Sequence, residues 1–205
     1  MQEFFNHAKF VFKEYRKRFV EDSLLQEEFL DAIKNLLSLY DTKIYENRFI
    51  VGGVVEFIIL ASFNALNFNA IHIGKENERF DIQVKYKNFS IQYSVKSTFT
   101  KSDIRLINVL GESTKTKWEE PTIFVIPHCG VAYADITLID KNSLIRQADV
   151  LVIKRKSLEN LFNSQPELII KMEIPFKEEI ATTGQKIASE DIAKELLKKY
   201  KKLTL

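Results

Sequence analysis

The stretch Arg79-Phe80-Asp81-Ile82-Gln83-Val84-Lys85-Tyr86-Lys87-Asn88-Phe89-Ser90-Ile91-Gln92-Tyr93-Ser94-Val95-Lys96 decides the fold. Phe80, Ile82, Val84 and Tyr86 alternate with Asp81, Gln83 and Lys85. After Lys87-Asn88, the residues Phe89, Ile91, Tyr93 and Val95 alternate with Ser90, Gln92, Ser94 and Lys96. Period-two alternation marks half-buried strands, and two residues between them predict a tight hairpin in which Asn88 takes positive φ. In that register Tyr86 faces Phe89 and Asp81 faces Ser94, with Cβ atoms ~5 Å apart and Lys96 within diagonal reach. The apolar set buries. A carboxylate, a hydroxyl and an ammonium look together into a cleft.

Around this hairpin the chain reads as a single domain over 1–205, of α/β (α+β) class, with a central mixed sheet flanked by helices. Residues 2–40 carry helical periodicity on two stripes: Phe5, Phe12 and Phe19, then Leu25, Phe29, Ile33, Leu36, Leu37 and Tyr40. Glu21-Asp22-Ser23 supplies a cap between them, with Glu27 and Glu28 in the next first turn. Residues 1–45 thus form an N-terminal helical pair, a support layer or a dimerisation element. A third helix runs from about Gly52 to Leu66, and a short strand lies near Ala70–Ile73. A polar loop with a short helix around Asp103–Leu110 follows the hairpin. Thr122–Pro127 and Val131–Ile136 read as strands turning at Cys129-Gly130. Asp149–Lys154 is strand-like, Lys156–Asn163 helical and Leu168–Ile174 a strand. Ser189 opens a C-terminal helix within 188–202.

Composition bounds the rest. The chain is 45% hydrophobic and 12% aromatic, enough for a real core. The formal net charge is only +2, so any polyanion must be met by a local patch. The lone Cys129 allows no internal disulfide and fits a reducing cytoplasm, and it reads as a small buried hydrophobe. The N-terminus has no basic start or continuous apolar segment, and the apolar run Val54–Ala61 contains Glu56 and is too short to span a bilayer. No Gly-rich phosphate loop, GxSxG elbow or CxxC pair is present, which argues against ATP-driven, serine-hydrolase and thioredoxin-like chemistry. His128 lacks companions at zinc-type spacing and reads as a turn residue.

Glu56 stands out because its helical neighbours Gly52, Gly53, Ile59, Leu60 and Phe63 leave no polar face for it. Such a carboxylate needs a cation or donors. It is either a functional acid or an edge residue paired with an arginine such as Arg48. With Asp81 it could hold magnesium, which accepts one or two carboxylates and keeps several waters. A lysine beside the ion orients the attacking water and stabilises charge developing on phosphorus. Two loops rich in hydroxyls and cations flank the cleft and suit phosphate contacts. One carries Ser97, Thr98, Thr100, Lys101, Ser102 and Arg105; the other carries Lys115, Lys117 and Trp118, the last able to stack or approach a groove.

Phe80-Asp81, followed fifteen positions after the aspartate by Lys96 in Ser94-Val95-Lys96, resembles the PD-(D/E)xK nuclease superfamily and within it the type II restriction endonucleases. Val95-Lys96-Ser97-Thr98 and Asp103-Ile104-Arg105-Leu106-Ile107-Asn108 also resemble such enzymes just past their lysine. The likeness spans roughly residues 50–175. It implies a restriction-endonuclease-like core, Mg²⁺ as cofactor, and double-stranded DNA as substrate, hydrolysed to leave 5′-phosphate ends. It further implies a homodimer, a companion methyltransferase that is not a stable subunit, and a prokaryotic cytoplasmic location with no membrane. Carried over, Asp81 and Glu56 bind the metal, the Val95 carbonyl and Gln92 are further ligands, Ser94 occupies the second acid's position, and Lys96 activates water. The pattern's proline is Phe80 here, and its second acid is the neutral Ser94, so the site lacks one negative charge. Two other readings follow from that loss: a non-catalytic DNA-binding descendant, and a structure-specific or repair nuclease.

Overall fold

The computed structural model describes residues 2–74, 77, 79–108, 117–147, 150–182 and 188–205. Helix α1 (Gln2–Glu21) buries Phe5, Ala8, Val11, Phe12, Tyr15 and Phe19, a stripe at three- and four-residue spacing. Its successor α2 (Ser23–Leu39) starts where the Asp22 carboxylate accepts the Leu25 N–H at 3.1 Å, the cap that Glu21-Asp22-Ser23 predicts. Helix α3 (Tyr45–Ala65) begins at Tyr45, a turn and more ahead of the expected Gly52. By length and composition α3 could cross a membrane, yet half of its apolar window is buried inside the protein.

Nine strands follow among the described residues: β1 (Asn69–His72), β2 (Ile82–Tyr86), β3 (Phe89–Ser97), β4 (Ile104–Asn108), β5 (Thr122–Ile126), β6 (Gly130–Ala134), β7 (Leu144–Gln147), β8 (Val150–Ile153) and β9 (Ile169–Lys171). Helix α4 (Arg155–Ser164) lies between β8 and β9, and α5 (Ser189–Leu197) comes last. Six strands form a mixed sheet in the order β1-β2-β3-β5-β6-β9, in which only β3 and β5 run parallel. Strands β4, β8 and β7 form a second, antiparallel sheet.

The β2–β3 register is the expected one, with Tyr86 opposite Phe89 and Ile82 opposite Tyr93. The turn differs in detail: Lys87, not Asn88, takes positive φ, at 51°. Where a helix is expected around 103–110, Ile104–Asn108 form strand β4, and 109 and 110 lie outside the described residues. Ile104 and Leu106 bury while Arg105 stays exposed, the alternation of a strand, and β8 supplies its hydrogen-bonding edge. At the β5–β6 turn, Gly130 has φ +122°, and a Cβ there would come within 2.0 Å of the Ile170 carbonyl oxygen. Only glycine fits.

The N-terminal helices belong to the same core as the sheet. Tyr15 stacks on Phe63 of α3 at 3.9 Å between ring centroids and shares a 2.7 Å hydrogen bond with Ser62. The Tyr93 hydroxyl of β3 donates to the Ala8 carbonyl of α1 at 2.7 Å. Buried aromatics of this kind contribute roughly 2–3 kcal/mol each. So α1 and α3 cover one face of the sheet and fix β3 and Tyr93 against it. Neighbouring side chains on β3 alternate in direction, and Ser94 and Lys96 are thereby turned to the other side.

Candidate active site

Asp81 lies just ahead of β2, its backbone held on both sides. Its N–H donates to the Tyr93 carbonyl at 2.9 Å, and its carbonyl accepts the Ile73 N–H at 2.9 Å. The side chain then gathers three donors on one oxygen. Oδ2 accepts the Val95 N–H at 2.6 Å and the Ser94 hydroxyl at 3.1 Å, and the Lys96 ammonium lies 3.5 Å away. Hydrogen bonds to a charged acceptor are the stronger class. The Ser94 N–H in turn donates to the Pro121 carbonyl at 3.0 Å, and Ser94 pairs with Thr122 where β3 meets β5. Asp81, Ser94 and Lys96 therefore converge as the hairpin register predicts. Their side chains differ in access: Ser94 is buried, whereas Lys96 keeps 30% of its side chain exposed and Asp81 19%.

These three groups line a groove of about 960 Å³. The N-terminal end of α3 gives it Tyr45, Arg48 and Phe49, and the small sheet gives it Arg105, Leu106 and Val152. Ser97, Thr98, Thr100 and Ser102 also line it. The Thr100 and Ser102 hydroxyls are linked at 2.7 Å. Arg79 reaches the groove too, but its guanidinium is held by Glu120 at 2.9 Å and Glu119 at 3.1 Å. Arg48 donates to the Thr42 carbonyl at 2.8 Å, and among the described residues no carboxylate meets Arg48 or Arg105.

Glu56 lies next door. It lines a smaller cavity of about 480 Å³ with Gly53, Phe57, His72, Gly74 and Ser189, and Asp81 borders both spaces. A ring N–H of His72 donates from Nε2 to Glu56 Oε2 at 2.9 Å, while the imidazole stacks on Phe57 at 4.5 Å. Arg48 is not its partner. Gly53 permits this packing, since a Cβ there would come within 3.0 Å of the Ser189 hydroxyl on α5. Burial is the main force pushing the Glu56 carboxyl above its ordinary value. His72 opposes it, the negative charge of Asp81 adds to it, and Lys96 works against it. Glu56 thus sits in the electrostatic field of Asp81 and Lys96 without touching either.

Several assignments need correction. Gln92 lines neither space: it pairs with Gln83 and lies two residues, ~6.6 Å, further along the strand from Ser94. Val95 keeps its place beside the site, its main-chain N–H donating to Asp81 Oδ2 at 2.6 Å. Trp118 is 3% exposed, with its indole N–H donating to Thr122 Oγ1 at 2.8 Å, so it is a core residue and no stacking surface. Lys101 lies 5.6 Å from the Phe176 ring centroid and outside the groove lining, and Lys117 is exposed away from both spaces. Lys115 falls outside the described residues. Sequence reasoning missed His72, Tyr45 and Phe49 as site residues. The first signal was an imidazole beside a strand end facing the odd carboxylate, and the second an aromatic pair four residues apart at a helix start.

The donor set fits a magnesium ion on charge: the negative charge of Asp81 helps to push the Glu56 carboxyl up, which a bound cation would relieve, and two carboxylates suffice. Among the described residues no group of three or more His, Cys, Asp or Glu side chains stands ready to hold a metal. No protein-family model, curated protein or solved structure matches this chain.

Proposed function

We propose that this chain is a magnesium-dependent endonuclease that hydrolyses phosphodiester bonds of double-stranded DNA, in the manner of a type II restriction enzyme. The observation that carries the reading is the Lys96 ammonium 3.5 Å from Asp81 in a groove of about 960 Å³. A lysine held beside a fixed carboxylate, in a trough with hydroxyl and arginine walls, suits an anionic backbone better than a neutral ligand.

Asp81 and Glu56 would hold the ion, which when bound supplies positive charge to the scissile phosphate and to a coordinated water. Lys96 donates hydrogen bonds that orient the attacking water and lie where phosphorane charge develops. Val95 N–H and the Ser94 hydroxyl fix the Asp81 rotamer. Arg48, Arg105 and the Thr100–Ser102 hydroxyls receive flanking phosphates. The water oxygen bonds to phosphorus as the P–O3′ bond breaks, leaving a 5′-phosphate and a 3′-hydroxyl. Cutting both strands calls for two such sites, hence a homodimer. The restriction reading carries with it a cytoplasmic location and a separate methyltransferase.

A second reading, a DNA-binding protein without catalysis, is favoured by one observation: Ser94 stands where the second acid would be, and three donors already occupy Asp81 Oδ2. Incubation with phage and plasmid DNA and Mg²⁺ separates the readings. Discrete bands, lost in Asp81→Ala and Lys96→Ala, support the endonuclease. Binding without nicking supports the second reading, and cutting only of branched or damaged DNA points to a repair-type nuclease. Full activity in Asp81→Ala sinks the assigned site.

A further inference from the structure

Tyr45 and Phe49 are 57% and 59% exposed, in a protein whose other large aromatics are mostly buried. They stand one helical turn apart on α3, so their side chains share a face. Their rings meet edge to face, 5.1 Å between centroids and 84° between planes. Both line the groove that contains Asp81 and Lys96, and Arg48 between them in sequence lines it as well. A ligand that lies in this groove must offer flat apolar faces to the rings and negative charge to Arg48 and Arg105. Nucleic acid combines the two.

We propose that Tyr45 and Phe49 form a stacking platform for a nucleobase drawn out of the double helix while its backbone lies in the groove. In an intact duplex each base face is covered by its neighbours and only the edges are open. A platform of rings therefore has use only for a base that is unpaired or displaced. The alternative occupant is a second copy of this chain. A twofold contact centred on this patch sets Arg48 near its own symmetry mate, a like-charge pairing that argues for the nucleic acid. The inference rests on the DNA-binding reading and sharpens it: within double-stranded DNA, the groove favours a site where one base leaves the stack easily.

The test is fluorescence anisotropy in EDTA, which prevents cutting, with three labelled probes of one sequence: a single strand, its intact duplex, and that duplex with one bulged adenine. The wild type is expected to bind the single strand and the bulge more tightly than the intact duplex. Tyr45→Ala and Phe49→Ala should each weaken binding to those two probes by about tenfold, with the intact duplex within about twofold, and Tyr45→Trp should restore it. Arg48→Ala should weaken all three probes alike. Equal losses on every probe, or none, overturn the platform while leaving a DNA-binding groove in place. If sedimentation shows a wild-type dimer that either alanine variant splits, the patch is an interface between copies and the platform is wrong. A wild type that binds none of the probes, either in EDTA or with Ca²⁺ in its place, removes this inference and the nuclease reading together.

Discussion

The Ser94 hydroxyl donates to Asp81 Oδ2 at 3.1 Å, at the strand position where the nuclease pattern carries a second carboxylate. Ser94 is 4% exposed, so a carboxylate there would be buried against another. Like charges in that setting raise each other's pKa and oppose folding. Ser94→Asp should therefore lose about 1–3 kcal/mol in EDTA. Millimolar Mg²⁺ should return most of it, while the wild type gains less. Thermal melts with and without the ion read this directly. An equal loss in both conditions means that the added carboxylate meets no cation.

Asp81 should matter more to stability than Lys96, although the two form one ion pair. The aspartate satisfies a main-chain N–H and a buried hydroxyl as well as the ammonium. Removing its charge weakens all three contacts, and Asp81→Asn should cost about 1–3 kcal/mol. Lys96 is nearly a third exposed, so Lys96→Met should cost under about 1 kcal/mol. Urea titrations of the two variants rank them. The reverse order would mean that Lys96 holds the site together.

The hairpin was legible because one signal, alternation through a two-residue turn, fixed both its register and the convergence of Asp81, Ser94 and Lys96. Strand β4 carried the same signal in Ile104-Arg105-Leu106, yet its polar surroundings invited a helix; the sheet it joins is completed by β7, whose residues are half-exposed or exposed and have no apolar run. Glu56 was visible as a carboxylate without a polar face, but its partner was not. His72 reaches it because β1 lies along α3, a tertiary fact that local periodicity does not carry. Trp118 shows the converse: a loop-like, lysine-flanked context masked a residue that packs edge-on to Phe124.

The joint between α1 and α2 should give stability a pH dependence of known sign. The Lys202 ammonium, foremost, and the Leu25 N–H hold the Asp22 carboxyl below its ordinary value. A depressed acid stabilises the fold above the unfolded pKa, and that contribution fades as pH falls through the folded value. Asp22→Ala should thus cost about 1 kcal/mol at pH 7. The gap to wild type should narrow below about pH 4, the unfolded carboxyl's range. Asp22→Asn keeps the cap acceptor and should cost less. Denaturant midpoints at pH 7, 5 and 3 test the trend, and a gap that widens toward acid contradicts the assigned partners.

Trp118 is the chain's single tryptophan, which makes its burial measurable without substitution. At 3% exposure, with its N–H given to Thr122, the indole should emit at short wavelength and resist quenching by iodide. DNA added in EDTA should leave that emission nearly unchanged, because a base has no ring face to reach. Trp118→Phe should instead act on stability. It loses the hydrogen bond to a buried hydroxyl, a cost of about 1–2 kcal/mol, with DNA affinity unaltered. Strong quenching on adding DNA, or a Trp118→Phe variant that folds as well as the wild type but binds DNA poorly, would return this residue to the groove wall and require the segment before β5 to open.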